Sequence, residues 1–382
     1  MSYERKVANQ IARKTNSLSS FSYLMQQMRG AHPSTVKNIL AKKSPQLLHE
    51  LIEREQKPRP EKNSDGHDNP VLAAWYFTPC STNKFVNLQN WSRKKIALLG
   101  TPSLLTPLSQ QSERVTLFDF DPKIQNFEER NIQNTEIVRC DIRSDDLSKF
   151  NKCFDIAVID PPWYLEDYKF WLNAAFRLIR QDGIVCGSLF PNLTRPAASQ
   201  ERAVIENTLN ENGATFSIVP DFFLYSVPSF EVAQLQKLSL PTAPWKRADL
   251  FISTPLNVNQ HQPFHDESMT IHSGIDPRKW LAISCGKFSV FLIPHSKHAS
   301  TTELLEPAED GDGILRSPSL RSAGRQRANV LTSNGRAFVS ADADKLALVL
   351  QKIAKAGYLE DNPELISSRS HHFLTKLFGM ES

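Results

Sequence analysis

The most chemically loaded stretch of the sequence is Asp160-Pro161-Pro162-Trp163. It follows Ile156-Ala157-Val158-Ile159, an apolar, β-branched run that predicts a buried parallel strand. Two successive prolines fix φ near about −65° and offer no N–H, so neither strand nor helix continues through them. A carboxylate, bare backbone carbonyls and an indole therefore meet at the C-terminal end of a strand, where open α/β sheets bind ligands. Acceptors beside a stacking surface suit a site that works by gripping and positioning a reacting group. The same four residues would also make a rigid corner over a buried indole, so the flanking elements must decide.

Those elements alternate. Strands are expected at 96–99, 115–118, 136–140, 156–159, 183–188, 214–219 and 250–253, with helices at 165–178 and 199–212 among them. Strands alternating with helices predict a doubly wound parallel sheet. The first strand ends at Gly100-Thr101-Pro102-Ser103, where a small residue lets backbone approach a ligand. Asp119 closes the second strand, suited to two ribose hydroxyls, and Asp141 closes the third, suited to an adenine amino group. A lone acid at a strand end is commonly a helix cap. Acids at three successive strand ends, with Asp160, follow the order of class I S-adenosylmethionine enzymes. No GxGxxG follows a strand, which removes the main support for a dehydrogenase.

Four segments carry a family resemblance in order: Trp75-Tyr76-Phe77-Thr78, Ile96 through Leu104, Leu117-Phe118-Asp119-Phe120-Asp121, and Phe154 through Pro162. Over about residues 70 to 255 the chain resembles the probable N6-adenine methyltransferase family. That family includes a zinc-finger ribosomal-RNA adenine methyltransferase and an elongation-factor lysine methyltransferase. The resemblance implies a class I methyltransferase fold with a seven-stranded Rossmann-like sheet. It also implies S-adenosylmethionine held by Gly100, Thr101, Pro102, Ser103, Asp119 and Asp141. Asp160, Pro161, Pro162 and Trp163 would then take the methyl acceptor. In such enzymes the carboxylate and a proline carbonyl accept the two N–H bonds of an exocyclic amine while the aromatic stacks on the base. Trp163, where eukaryotic members mostly carry Phe, is similar to adenine enzymes acting on messenger RNA and DNA, and favours a base as acceptor. A weaker similarity runs to branched-chain polyamine synthases, which transfer aminopropyl groups. Around the corner, however, only Glu166 and Asp167 are acidic.

Bulk properties leave this reading open. The 382 residues, 40% hydrophobic and 23% charged, are enough for two or three globular domains, and a net charge of +4 neither demands nor excludes nucleic acid. Five scattered cysteines without a CxxC pair argue for free thiols and against a zinc module, so no metal is expected. No apolar run approaches the ~18 residues of a membrane span, and no signal-peptide core stands at the N-terminus, which makes cytoplasm the expectation.

Four segments are expected: a basic helical region at 1–57, a Pro-rich linker at 58–70, the methyltransferase domain at 71–256 and an α+β accessory domain at 270–382. The first has a helix-turn-helix outline, with a Ser34 cap and Lys37 at the start of its second helix. It fits a small bundle packed on the main domain equally well. The last carries two expected hairpins, 280–293 and 329–340, the second turning at Asn334-Gly335 as type I′. Arg316, Arg321, Arg325, Arg327 and Arg336 precede or occupy it, as candidate phosphate contacts or a solvated face. A nucleic-acid partner, RNA or DNA, is the first expectation. A lysine acceptor on a protein, a non-enzymatic binding module and a partner subunit are the alternatives.

Overall fold

The computed structural model describes residues 2–14, 19–55, 70–121, 132–211, 214–255, 279–285, 288–296, 301–309, 311–317, 319, 322–356 and 367–378. The chain groups into two compact units, one of residues 1–59, 76–226 and 243–271, the other of 60–75, 227–242 and 272–382. The bounds differ from the four segments read along the sequence, because contacts and not chain order define a compact unit.

In the first unit four short helices come first: α1 (Tyr3–Lys14), α2 (Phe21–Gln27), α3 (Pro33–Lys43) and α4 (Pro45–Glu53). Each buries an apolar stripe at helical spacing, such as Val7 and Ile11 in α1 and Val36, Ile39 and Leu40 in α3. The cap of α3 is His32, whose Nδ1 accepts the Ser34 N–H at 3.2 Å, with Pro33 at the first helical position; Ser34 is not the cap. Gly30, at φ +96°, turns the chain where a Cβ would lie 2.8 Å from Thr194 Oγ1. Tyr3 Oη also donates to Leu193 O at 2.9 Å. The helices are therefore packed onto the sheet-bearing body, the second of the arrangements the sequence allowed.

After α5 (Pro79–Val86) come β1 (Lys95–Leu99), α6 (Leu105–Ser109), β2 (Arg114–Asp119), β3 (Thr135–Arg139), β4 (Phe154–Ile159), α7 (Leu165–Leu178), β5 (Ile179–Leu189), α8 (Ala198–Glu211), β6 (Ala214–Leu224) and β7 (Arg247–Pro255). The sheet order is β3-β2-β1-β4-β5-β7-β6. All six residues of β4 are buried, which explains the apolar run at 156–159; the buried Asp155 ahead of it accepts the Lys95 N–H at 2.7 Å. Tyr168, Trp171, Leu172, Ala175 and Phe176 form the buried face of α7 and join the core around β4. The wholly parallel sheet expected from the alternation needs one correction. Strand β7 runs antiparallel to both β5 and β6. An antiparallel neighbour requires no crossover helix, so β7 can slot between them.

Asp249 in β7 is the ionic anchor of this unit. It is buried and accepts Arg29 at 2.5 Å, Arg202 at 2.7 Å and the Asp221 N–H at 2.7 Å. The first of these partners lies in the N-terminal helical segment.

The second unit holds α9 (Ser229–Lys237), then β8 (Leu281–Cys285), β9 (Phe288–Leu292), β10 (Glu306–Pro307), α10 (Ala323–Arg327), β11 (Val330–Thr332), β12 (Ala337–Val339), α11 (Ala343–Ala356) and α12 (Ser368–Phe378). Both expected hairpins form, within a five-stranded sheet of order β10-β12-β11-β9-β8. In the second, Gly335 has φ +88° while Asn334 is not left-handed, so the turn is not type I′.

Candidate active site

Strand β1 pairs in parallel with β2 on one side and β4 on the other, so three strand ends face the same way side by side. The ladder continues one residue past each strand. Gly100 N–H donates to Phe118 O at 2.9 Å, and Asp160 N–H to Leu99 O at 3.1 Å. Gly100, Asp119 and Asp160 are thereby brought to one edge of the sheet.

Gly100 sits at φ +66°, where a Cβ would be 3.3 Å from Asp160 O and 3.6 Å from Trp171 Nε1. The turn is thus open only because it lacks a side chain. Two buried polar atoms beside it, Thr101 Oγ1 and Trp171 Nε1, have no hydrogen-bond partner among the described residues. Buried polar groups are ordinarily satisfied, so two at one strand-end turn point to a polar ligand there. Asp119 lies at the end of β2 with Oδ1 accepting the Asp121 N–H at 2.9 Å, and burial pushes its carboxyl up to about 7. Pro102 is buried at the start of a single 3₁₀ turn, Pro102–Leu104, and Ser103 Oγ accepts the Phe77 N–H at 3.2 Å. That bond explains why the Trp-Tyr-Phe-Thr and Pro-Ser segments occur together.

Asp141 is placed differently from the open acceptor expected. Its two carboxylate oxygens are engaged by Arg143 Nε and Nη2, each at 2.9 Å, and Oδ1 also accepts the Arg143 N–H at 3.0 Å. The carboxylate closes its own turn, the ordinary use of an Asp at a strand end.

Around Asp160 the structure adds residues that no local pattern marked. Ser188 Oγ and Tyr225 Oη both donate to Asp160 Oδ1, at 2.5 and 2.7 Å. Ser188 is fully buried at the end of β5, and Tyr168 Oη from α7 donates to its carbonyl at 3.0 Å. Burial raises the Asp160 carboxyl to about 6, against the pull of the Ser188 and Tyr225 hydroxyls and of the Lys246 charge. Burial and the Asp160 charge also raise the Tyr225 phenol well above its ordinary value. Trp163 is half-buried, edge to face with Tyr225 at 5.6 Å, and Lys246 Nζ lies 4.2 Å from its ring centroid. Tyr164 N–H donates to Pro162 O at 2.7 Å, closing the corner. A hydroxyl ending the strand next to β4 was the one sequence signal that could have found Ser188. Tyr225, Lys246 and Trp171 had none.

The candidate nucleic-acid contacts fall in both units. Lys37 is half-buried on α3 in the first unit, while the arginines belong to the second. Arg325 is buried, with its guanidinium donating to the carbonyls of Pro70 and Val71 and its acidity increased by burial to a pKa of about 9. It is a structural brace, turned inward because α10 puts it on its buried face. Arg325→Ala should therefore lower stability by about 1–3 kcal/mol, read from chemical denaturation, by leaving buried carbonyls unsatisfied. Arg327 pairs with Glu306 at 3.3 Å, Arg316 is exposed, and Arg321 lies outside the described residues. Among the described residues no group of His, Cys, Asp and Glu is suited to a metal, and no helix is long and apolar enough to cross a membrane.

The architecture is that of class I S-adenosylmethionine-dependent methyltransferases. Residues 71–231 match the sequence profile of the family described as "Probable N6-adenine methyltransferase", and the resemblance read from the sequence is borne out over that span. Among solved structures, the branched-chain polyamine synthase of Thermus thermophilus, in complex with N4-aminopropylspermidine and 5'-methylthioadenosine, is 16% identical. The match covers 72% of this chain and 92% of that one, with a TM-score of 0.51. Its C9 mutein is 17% identical over 69% of this chain and 90% of that one, with a TM-score of 0.50. At such identity the likeness is one of fold. No curated protein matches the sequence.

Proposed function

We propose that the chain transfers a methyl group from S-adenosylmethionine to an exocyclic amine, with adenine N6 of a nucleic acid as the acceptor. The observation that carries this reading is Asp160, a carboxylate oriented by two buried hydroxyls beside Trp163 at the lip of β4. The cofactor would lie against the Gly100 turn, with Thr101 Oγ1 and Trp171 Nε1 as donors to its polar groups and Asp119 as acceptor for the ribose hydroxyls. When bound it supplies an electrophilic methyl on a sulfonium.

The protein's own contribution is positioning. An adenine amino group is a poor nucleophile because its lone pair is delocalised into the ring. Asp160 accepts one N–H, and Pro161 is the proline whose carbonyl is offered to the other, since Pro162 O already bonds Tyr164 N–H. Holding both bonds in place localises the lone pair on nitrogen, and Trp163 stacks on the base. Ser188 and Tyr225 keep Asp160 in one orientation, so no reorganisation is needed as charge develops on the amine. The amine proton released after transfer passes to the Asp160 carboxylate. Asp141 is outside this scheme, because Arg143 engages it.

A lysine acceptor is the second reading within the same fold family. Aminopropyl transfer is the third, suggested by the polyamine synthase of Thermus thermophilus that shares the fold. Labelled-methyl transfer to RNA, DNA and protein, followed by nuclease or protease digestion, separates them. Label released as N6-methyladenosine or its deoxy form is expected; label that stays on peptide would reject the adenine reading. In the same assay Trp163→Ala should abolish transfer. Asp119→Ala should weaken cofactor binding by about 10–100-fold through loss of hydrogen bonds to a charged acceptor, with turnover at saturation largely kept. If Asp119→Ala lowers turnover and leaves affinity unchanged, the ribose assignment is wrong.

A further inference from the structure

We infer that Lys246 sets the charge preference of the acceptor pocket, admitting a neutral amino group and excluding a protonated one. The inference rests on reading the Asp160 corner as the acceptor site, and it names the chemical class that site selects.

Lys246 stands immediately before β7, with its main-chain carbonyl accepting the Tyr225 N–H at 3.0 Å. Its Nζ lies 4.2 Å from the ring centroid of Trp163 and 5.0 Å from that of Tyr225. Tyr225 in turn donates to Asp160 at 2.7 Å. One cation therefore rests on the two aromatic residues that border the acceptor carboxylate. Aromatic faces next to a carboxylate are otherwise what a site for a protonated amine is made of. Here that cation is supplied by the chain itself.

The consequence follows from charge. A lysine side chain or a polyamine is protonated near neutral pH, with an ordinary pKa of about 10.4. To reach Asp160 it must approach a second ammonium that already acts on that carboxylate, in surroundings less screened than water. Like charges ~8 Å apart at an effective dielectric constant of about 20 repel enough to shift an equilibrium by roughly tenfold or more. An adenine amino group carries no charge and escapes the penalty. The same ammonium favours the ionised form of Asp160. That carboxylate also faces the hydroxyls of Ser188 and Tyr225, with Tyr168 from α7 and Arg195 beyond them, and the Lys246 charge acts on it directly.

The test compares Lys246→Met, which keeps the stem and removes the charge, with Lys246→Arg, which keeps the charge. Labelled-methyl transfer is measured to an adenine-containing single-stranded RNA and to Nα-acetyl-lysine amide, and the lysine compound is also titrated as an inhibitor of the RNA reaction. Lys246→Met should tighten inhibition by the lysine compound at least ~10-fold and move the acid limb of the RNA pH profile to higher pH. Lys246→Arg should keep both near wild type. Should Lys246→Met fail to fold, Lys246→Gln takes its place. If the uncharged variant inhibits and titrates like wild type while RNA is methylated, the inference falls and the functional reading stands. If wild type methylates the lysine compound and not RNA, the functional reading falls and takes the inference with it.

Discussion

Asp160→Asn is expected to reduce methyl transfer by about 10²–10⁴-fold with the fold intact. The replacement is nearly isosteric, and its amide oxygen can still accept from Ser188 and Tyr225, which bond Oδ1 at 2.5 and 2.7 Å. That choice of partner turns the amide nitrogen towards the acceptor. A pair of donors then meets the amino group where an acceptor stood, so the lone pair is no longer localised and the released proton has no base. The wild-type rate should rise with pH through about 6, because burial pushes the Asp160 carboxyl to that value and only the ionised form can take up the proton the amine releases. In Asp160→Asn this limb should vanish.

Stability moves the other way. The folded-state pKa of Asp160 lies above its ordinary 3.8. The stability it contributes is therefore complete below about 3.8 and lost as pH rises through about 6. An amide has no charge to bury, so Asp160→Asn should melt at or above the wild-type temperature at pH 7. A variant within tenfold of the wild-type rate would remove Asp160 from the mechanism. An equally depressed rate with a lower melting temperature would make the residue structural.

Asp249→Ala is expected to be the most destabilising single change outside the strand core, by about 3–5 kcal/mol. It would leave Arg29, Arg202 and the Asp221 N–H without their common acceptor, in surroundings that bury Asp249 and most of Arg202. Breaking one side of a buried ion cluster costs more than the cluster stabilises, since the remaining charges stay desolvated. The loss should therefore be smaller in the double variant Asp249→Leu, Arg202→Leu. Because Arg29 belongs to the N-terminal helical segment, limited proteolysis of Asp249→Ala should first cut within residues 1–55. Melting equal to wild type would show that the cluster is a solvated surface feature.

Much of the first unit was legible in the chain because its signals are local. A strand buried on both faces reads as a near-continuous apolar run, and the run at 156–159 marked β4; Gly100 and the two prolines punctuate strand ends for steric reasons that operate within a few residues. The antiparallel β7 was not legible. A short apolar strand carries no mark of its direction, and its partners β5 and β6 impose it. The burial of Arg325 was not legible for a similar reason. An arginine among arginines reads as a charged surface, and only the packing of α10 shows it to be buried.

The sequence by itself determined which groups stand at the strand ends: Gly100, Asp119 and the Asp-Pro-Pro-Trp corner, each fixed by backbone sterics or side-chain type over a handful of residues. The tertiary structure alone decided what Asp160 is bound to and therefore how it titrates. Ser188 and Tyr225 lie 28 and 65 residues further along the chain and meet it only because β5 and the end of β6 converge on the same edge. It also decided that Asp141 is engaged by Arg143 and that Lys246 rests on Trp163. Hydrogen bonds and charges act over a few ångströms of space, and chain separation carries no information about those distances until the sheet has formed.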